Sequence, residues 1–281
     1  MNARSPLIDV TELAAADPDT TLIVDCRFQL ADTEHGRQAY RQGHIPGAAY
    51  AHLDEDLCDL GKQGLGRHPL PEPEAFAAVL GRWGWKPGVT VVAYDAGNGA
   101  LTAARLWWLM RWMGAEARVL DGGMAAWTAA GKPLEQDAAR RPRTQVNVSF
   151  NPDMVLLTPQ LRSELDAGTA LLIDARAAPR YRGESEPIDP VAGHVPGARN
   201  HPFAGNVDAD QHWRAAADLR AGFEQLIDGR DPASVVHMCG SGVTACHNLL
   251  AMEYAGLHGS RLYAPSWSGW VSDPDNPVAT G

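Results

Sequence analysis

The chain has 281 residues, 45 % of them apolar and 21 % charged, with 24 basic and 34 acidic side chains and a net charge of −10. That is enough apolar material for one large or two ordinary globular domains, and Cys26, Cys58, Cys239 and Cys246 lack the paired spacing of a disulfide framework or zinc site. The acidic balance argues against nonspecific binding to nucleic acid or membrane, MNARSPLIDV has no basic-then-apolar leader pattern, and no apolar run approaches the length of a bilayer span. A cytoplasmic protein without metal or organic cofactor is expected.

In chain order, Thr11 to Ala16 reads as a short helix capped by Thr11, and Thr21 to Cys26 as a buried strand. Asp25 and Arg27 close that strand as a structural ion pair or cap, because Asp174 and Arg176 recur at the same place downstream. The stretch Leu57 to Pro71 is long and marked by Gly and Pro, and it has no counterpart of equal length in the second half. Arg67 and His68 on it fit an approach to a site and a solvated loop equally well. Leu101 to Met113 is an apolar helix whose Trp107, Trp108 and Trp112 read as core or domain interface. Glu135 to Pro152 is charged, then polar, with little periodicity, and reads as a linker between domains at 1–134 and 153–281. Beyond it come a helix capped by Thr158, a strand over Ala170 to Asp174, and a helix containing Phe223 to Ile227.

An internal repeat sets the architecture. LIVDCR at Leu22 matches LLIDAR at Leu171, GHIPGA at Gly43 matches GHVPGA at Gly193, VVAYD at Val91 matches VVHMC at Val235, and VLDGGMAAW ending at Trp127 aligns with LYAPSWSGW ending at Trp270. Strand-like runs alternate with helical segments in both copies, which predicts two tandem α/β domains, each a mostly parallel sheet flanked by helices.

The chemistry concentrates at Ser234 to Leu250, SVVHMCGSGVTACHNLL. An apolar strand stops at Cys239, a Gly/Ser loop follows, and a helix begins after Thr244. Gly240 and Gly242 let successive N–H groups curl inward, and the helix start adds partial positive charge on the same side, so both favour a thiolate. Buried structural cysteines in Gly-rich turns are the alternative. Phosphoryl chemistry is disfavoured, since the Arg that a cysteine phosphatase needs six positions on is Ala245 here. The first copy carries Asp95 in place of Cys239. A carboxylate cannot serve as a thiolate nucleophile, so that copy is expected to be silent in the same chemistry, with Asp95 capping its helix or filling the amide cradle.

CGSGVTA, the paired GH[IV]PGA turns and the DGG-type segments resemble the two-domain rhodanese-like sulfurtransferases over nearly the whole chain, and the loop is similar to that of the branch that uses 3-mercaptopyruvate. The resemblance implies two rhodanese-like domains, a silent first and a catalytic second. Cys239 would take sulfur from 3-mercaptopyruvate and pass its persulfide to cyanide, a thiol or a thioredoxin-like protein. Gly240, Gly242, Val243 and Thr244 would line the anion-binding loop, with a substrate carboxylate gripped by Arg180, or next by Arg182. It further implies that Ser241 joins a histidine and an acid from the first half, where His44 of GHIPGA is the match and Asp32, then Glu34, the acid. A structural role for His44 in its tight turn, shared with His194, stands beside that reading. Where relatives carry a second arginine, this chain reads Glu186, Pro187, Ile188, Asp189. Two alternatives remain: a thiosulfate:cyanide sulfurtransferase, and a noncatalytic rhodanese-like binding module. His237 is expected to be buried, and Trp267 to line the pocket mouth or pack in the core.

Overall fold

A computed structural model describes residues 4–137 and 141–281. The chain divides into two compact units. One comprises the chain up to Cys58, Pro71–Asn151 and Val207–Trp213; the other comprises Asp59–Leu70, Pro152–Asn206 and Arg214–Gly281. The linker expected at 135–152 is irregular where described, with residues 138–140 outside the described residues. Its backbone is nonetheless held: Thr144 donates its N–H to Gly81 and its hydroxyl to Trp85 O, and Phe150 stacks on Trp112 at 3.7 Å.

In the first unit β1 (Leu7–Ile8), β2 (Thr21–Asp25), β3 (Ala49–Tyr50), β4 (Thr90–Tyr94) and β5 (Ala117–Leu120) form one sheet in the order β1-β5-β4-β2-β3. In the second, β6 (Val155–Leu156), β7 (Leu171–Asp174), β8 (Arg199–Asn200), β9 (Val235–Met238) and β10 (Arg261–Tyr263) repeat it as β6-β10-β9-β7-β8. Every pairing is parallel, and corresponding strands share their register: Asp25 opposes Tyr94 as Asp174 opposes Met238. Parallel strands need crossover helices, which cover both faces, and this is why β4 and β9 are buried throughout and read as continuous apolar runs.

Two predicted caps are displaced by a residue or two. The first helix is Val10–Ala14, and Asp9, not Thr11, accepts from the Glu12 N–H at 2.8 Å. Thr158 is the first residue of its helix, Thr158–Asp166, and its hydroxyl bonds Tyr263 Oη at 2.8 Å, while Gln160 Oε1 takes the Leu157 N–H. Trp107 and Trp108 are buried on the helix Ala103–Trp112, as core residues. Trp267 is also core, at 0 % exposure, so it does not line a pocket mouth.

The repeated Asp/Arg pairs are structural. Arg27 bonds Asp25 and donates to the Gly43 carbonyl at 2.7 Å; Arg176 bonds Asp174 and donates to the Gly193 carbonyl at 2.7 Å. Each arginine thereby ties a strand end to the GH[IV]PGA turn of its own unit.

Candidate functional site

Cys239 follows β9 directly, and the helix Ala245–Tyr254 starts six residues on. The turn between them is fixed from outside. Cys239 N–H donates to Ser266 Oγ at 3.1 Å, and the carbonyls of Cys239 and Gly240 accept from the N–H groups of Trp267 and Ser268. Gly242 has φ +77°, and a Cβ there would lie 2.5 Å from the Ala264 carbonyl oxygen, so only glycine fits. Among the described residues no acceptor is bonded to the N–H groups of Gly240, Ser241, Val243 or Thr244. These are the donors of the expected anion loop.

The four cysteines are all free thiols, in different surroundings. Burial pushes the Cys26 thiol well up, with the carboxylates of Asp25, Asp95 and Asp56 adding to it. Burial pushes Cys58 up to about 12 against an opposing pull from Arg105. Cys246 lies inside the helix with its Sγ donating to the Gly242 carbonyl at 3.4 Å. Cys239 alone sits in the open-amide turn.

Ser241, 7 % exposed, has a histidine partner, and it is His68: Nδ1 lies 2.7 Å from Ser241 Oγ. The expectation that His44 and Asp32 serve this hydroxyl is not met. His44 is wholly buried in the first unit, stacked on Tyr40 at 3.8 Å, with its ring nitrogens on the carbonyl oxygens of Tyr40 (2.8 Å) and Asp137 (3.1 Å). His194 repeats this arrangement, stacked on Tyr181 at 3.8 Å with Nδ1 2.8 Å from its carbonyl oxygen. Both histidines hold their turns. Asp32 is exposed in a turn closed by backbone bonds to Gln29 and His35, and Glu34 pairs with Arg37.

Arg180 reaches the loop, since a methyl group at Gly240 would lie 3.6 Å from its Nη1. Arg182 does not belong to the site: it pairs with Glu184 in solvent. The stretch Glu186 to Asp189, read as a departure from the family's second arginine, organises the arginines present. Arg180 donates to Glu186 (2.6 Å) and Asp189 (3.1 Å), Arg67 Nη1 donates to Asp189 (2.5 Å), and Arg176 bonds Glu186 (3.3 Å) while lying 4.5 Å over Trp267. Burial pushes the Glu186 carboxyl up, but the bonds from Arg180 and from the Asp189 and Ile188 N–H groups outweigh it and hold it below its usual range.

His68 and Arg67 come from the segment Asp59–Leu70, which packs in the second unit although it precedes most of the first in sequence. Gly66 anchors it: at φ +85° a Cβ would lie 2.3 Å from the Pro265 carbonyl oxygen, and the Arg67 N–H donates to Ser268 Oγ at 3.0 Å. Sequence reasoning noticed this loop without assigning it. The signal available was its lack of a counterpart in the other copy.

The corresponding turn of the first unit is occupied by its own side chain. The Asp95 carboxylate accepts from the N–H groups of Gly97 (3.0 Å) and Gly99 (2.9 Å). Burial raises its carboxyl and those amides pull it back.

The chain matches the family model for the rhodanese-like domain twice, over residues 9–130 and 157–273. It is 46 % identical over 287 residues to a protein of Pseudomonas aeruginosa described as a probable 3-mercaptopyruvate sulfurtransferase, covering 99 % of both chains. It is 39 % identical over 293 residues to SseB of Mycobacterium tuberculosis, which carries the thiosulfate sulfurtransferase name, covering 100 % of this chain and 99 % of that one. Its structure is similar to that of SseA from Escherichia coli, a 3-mercaptopyruvate enzyme, with a TM-score of 0.81, 30 % identity, and coverage of 94 % of this chain and 100 % of the other.

Proposed function

Because this chain belongs to the rhodanese-like sulfurtransferases, we propose that it moves a sulfane sulfur from 3-mercaptopyruvate, through a persulfide on Cys239, to a thiophilic acceptor. The observation that carries the reading is the Cys239 turn, a free cysteine ahead of the N–H groups of Gly240, Ser241, Val243 and Thr244, which have no acceptor among the described residues. The Cys239 thiolate attacks the donor sulfur, and an S–S bond forms as the C–S bond breaks. The C–S electron pair passes into the keto group as an enolate, which takes a proton at carbon and leaves as pyruvate. Ser241, bonded to His68, delivers that proton, and the N–H groups of Gly240, Ser241, Val243 and Thr244 stabilise the outer persulfide sulfur. Arg180 holds the donor carboxylate.

Cyanide, a small thiol or a thioredoxin-like protein then removes the outer sulfur. Four free thiols support a reducing, cytoplasmic setting, and among the described residues no helix is long and apolar enough to cross a membrane. Thiosulfate is the second reading, favoured by the SseB relative. Steady-state kinetics with both donors and cyanide decide: kcat/KM is expected to be at least about tenfold higher with 3-mercaptopyruvate, given a Gly240 and Ser241 rim with no fixed charge of its own. A strong preference for thiosulfate would overturn the donor assignment. Absence of any persulfide with either donor would favour a noncatalytic binding module.

A further inference from the structure

The segment that closes the Cys239 turn carries two hydroxyl groups that its counterpart in the first copy lacks. Aligned on Trp127 and Trp270, Ser266 and Ser268 stand where the first copy has Gly123 and Ala125. The backbone contacts are the same in both copies: Met124 and Ala125 donate their N–H groups to the carbonyls of Asp95 and Ala96, as Trp267 and Ser268 donate to those of Cys239 and Gly240. The backbone angle is the same too, with φ +53° at Gly123 and +52° at Ser266. That left-handed conformation suits glycine and strains a residue with a Cβ. In the first copy a Cβ there would lie 2.5 Å from the Gly97 carbonyl oxygen, so glycine is required. The second copy keeps the angle, places a serine on it, and buries that serine completely. Backbone strain of this kind clusters at functional sites, where it persists because the surroundings hold it. Here the strained side chain meets the nucleophile. Ser266 Oγ donates to the Tyr263 carbonyl at 3.0 Å, which leaves its lone pairs to accept the Cys239 N–H, 3.1 Å away. The N–H of Asp95, at the same place in the first copy, has no acceptor among the described residues.

We propose that Ser266 is a positioning residue for the nucleophile: its hydroxyl fixes the Cys239 backbone where β9 ends, and so holds Sγ at the turn whose N–H groups are open. This rests on the reading that Cys239 is the nucleophile. Only Cα and Cβ lie between the bonded amide and Sγ, so a shift of that amide passes to the sulfur with little damping, and attack on a bound donor is sensitive to small displacements. The hydroxyl also explains why serine replaces glycine at a left-handed position, since glycine would relieve the strain and leave the Cys239 N–H without its acceptor. Ser268 extends the same device. Its Oγ accepts the Arg67 N–H at 3.0 Å, one residue before His68, so one short segment holds both the nucleophile and the chain that carries the histidine partner of Ser241.

The test uses the full-length protein and separates the hydroxyl from the strain. Ser266→Gly removes both together, whereas Ser266→Ala removes the hydroxyl and keeps the strain. Both variants are expected to lower kcat with 3-mercaptopyruvate about tenfold with KM within about twofold, the pattern of an interaction that acts on the chemical step. Both should also slow alkylation of Cys239 by iodoacetamide at fixed pH by about fivefold. The melting temperature should fall in Ser266→Ala and stay within about 3 °C in Ser266→Gly, where relief of the left-handed backbone offsets the lost bonds, so the shared loss of rate does not come from a looser fold. Rates within about twofold of the unaltered protein in Ser266→Gly would overturn the proposal. A loss of rate in Ser266→Gly with none in Ser266→Ala would overturn it too, because the freedom of glycine and not the missing hydroxyl would then be the cause. If 3-mercaptopyruvate is not turned over by the unaltered protein, the donor reading fails while the iodoacetamide rates still decide the role of Ser266.

Discussion

The two strand-to-helix turns that follow β4 and β9 are the same structure carrying different chemistry. After β4, Asp95 folds its carboxylate back onto the N–H groups of Gly97 and Gly99, so the turn carries its own anion. After β9, Cys239 leaves the N–H groups of Gly240, Ser241, Val243 and Thr244 without a protein acceptor among the described residues. A cavity of about 520 Å³ opens beside Asp95, lined by Phe28, Leu101, Ala126 and Gln211 among others, so the filled turn still has room next to it. What separates the copies is a nucleophile, donors left open, and side chains brought to the loop. The lesson is that a duplicated cradle keeps its fold when a single side chain satisfies its amides internally.

The largest effect that would sharpen this comparison lies in the two histidines. His68→Ala should reduce kcat with 3-mercaptopyruvate by about a hundredfold, the usual worth of a positioned proton-transfer group. His44→Gln should leave kcat within about threefold and lower the melting temperature, since both ring nitrogens of His44 serve backbone carbonyls in the first unit. Steady-state kinetics and thermal melts on the two variants check this, and a large kcat loss in His44→Gln with none in His68→Ala would restore the original assignment.

Asp95 offers the next test. Asp95→Ala strips the acceptor from two turn amides and should destabilise the protein by about 1–3 kcal/mol, measured by urea unfolding, with kcat/KM unchanged within about twofold. If stability is unaffected, the carboxylate is not what holds the first turn together.

The smallest effect is a pH dependence confined to the second copy. His237 on β9 stands where β4 has Ala93, and burial lowers its imidazole from 6.5 to about 3. Between those values the unfolded chain binds a proton that the folded chain does not, so this contribution to stability is present above 6.5 and is lost as pH falls below it. The loss should be about 1 kcal/mol over the first pH unit below that point, and His237→Leu should remove that part of the slope in unfolding free energies measured across the range. Equal slopes in both proteins would show that His237 does not carry it.

What could be read from the sequence follows the same division between shared and unshared features. The duplicated segments announced two parallel sheets, because continuous apolar runs between helical segments have few other solutions. The turn at Cys239 was legible from local composition. His68 and Arg67 were not, because their place depends on the path of Asp59–Leu70 in three dimensions and on the Gly66 contact with Pro265. GHIPGA misled for a physical reason: it recurs as GHVPGA, and a feature that both copies share serves what both copies do, which is to fold. The unmatched loop was the better guide. Arg182 failed in another way, since two residues along a short helix turn a side chain from the loop to solvent.

The central claim, that the open turn at Cys239 and not the filled turn at Asp95 receives sulfur, is tested most directly by loading the protein with 3-mercaptopyruvate in the absence of acceptor and mapping the added mass by peptide mass spectrometry. The account predicts one extra sulfur per chain, on the peptide containing Cys239, released by cyanide and absent from Cys239→Ser. Sulfur found instead on Cys26, Cys58 or Cys246, or retained by Cys239→Ser, would contradict it.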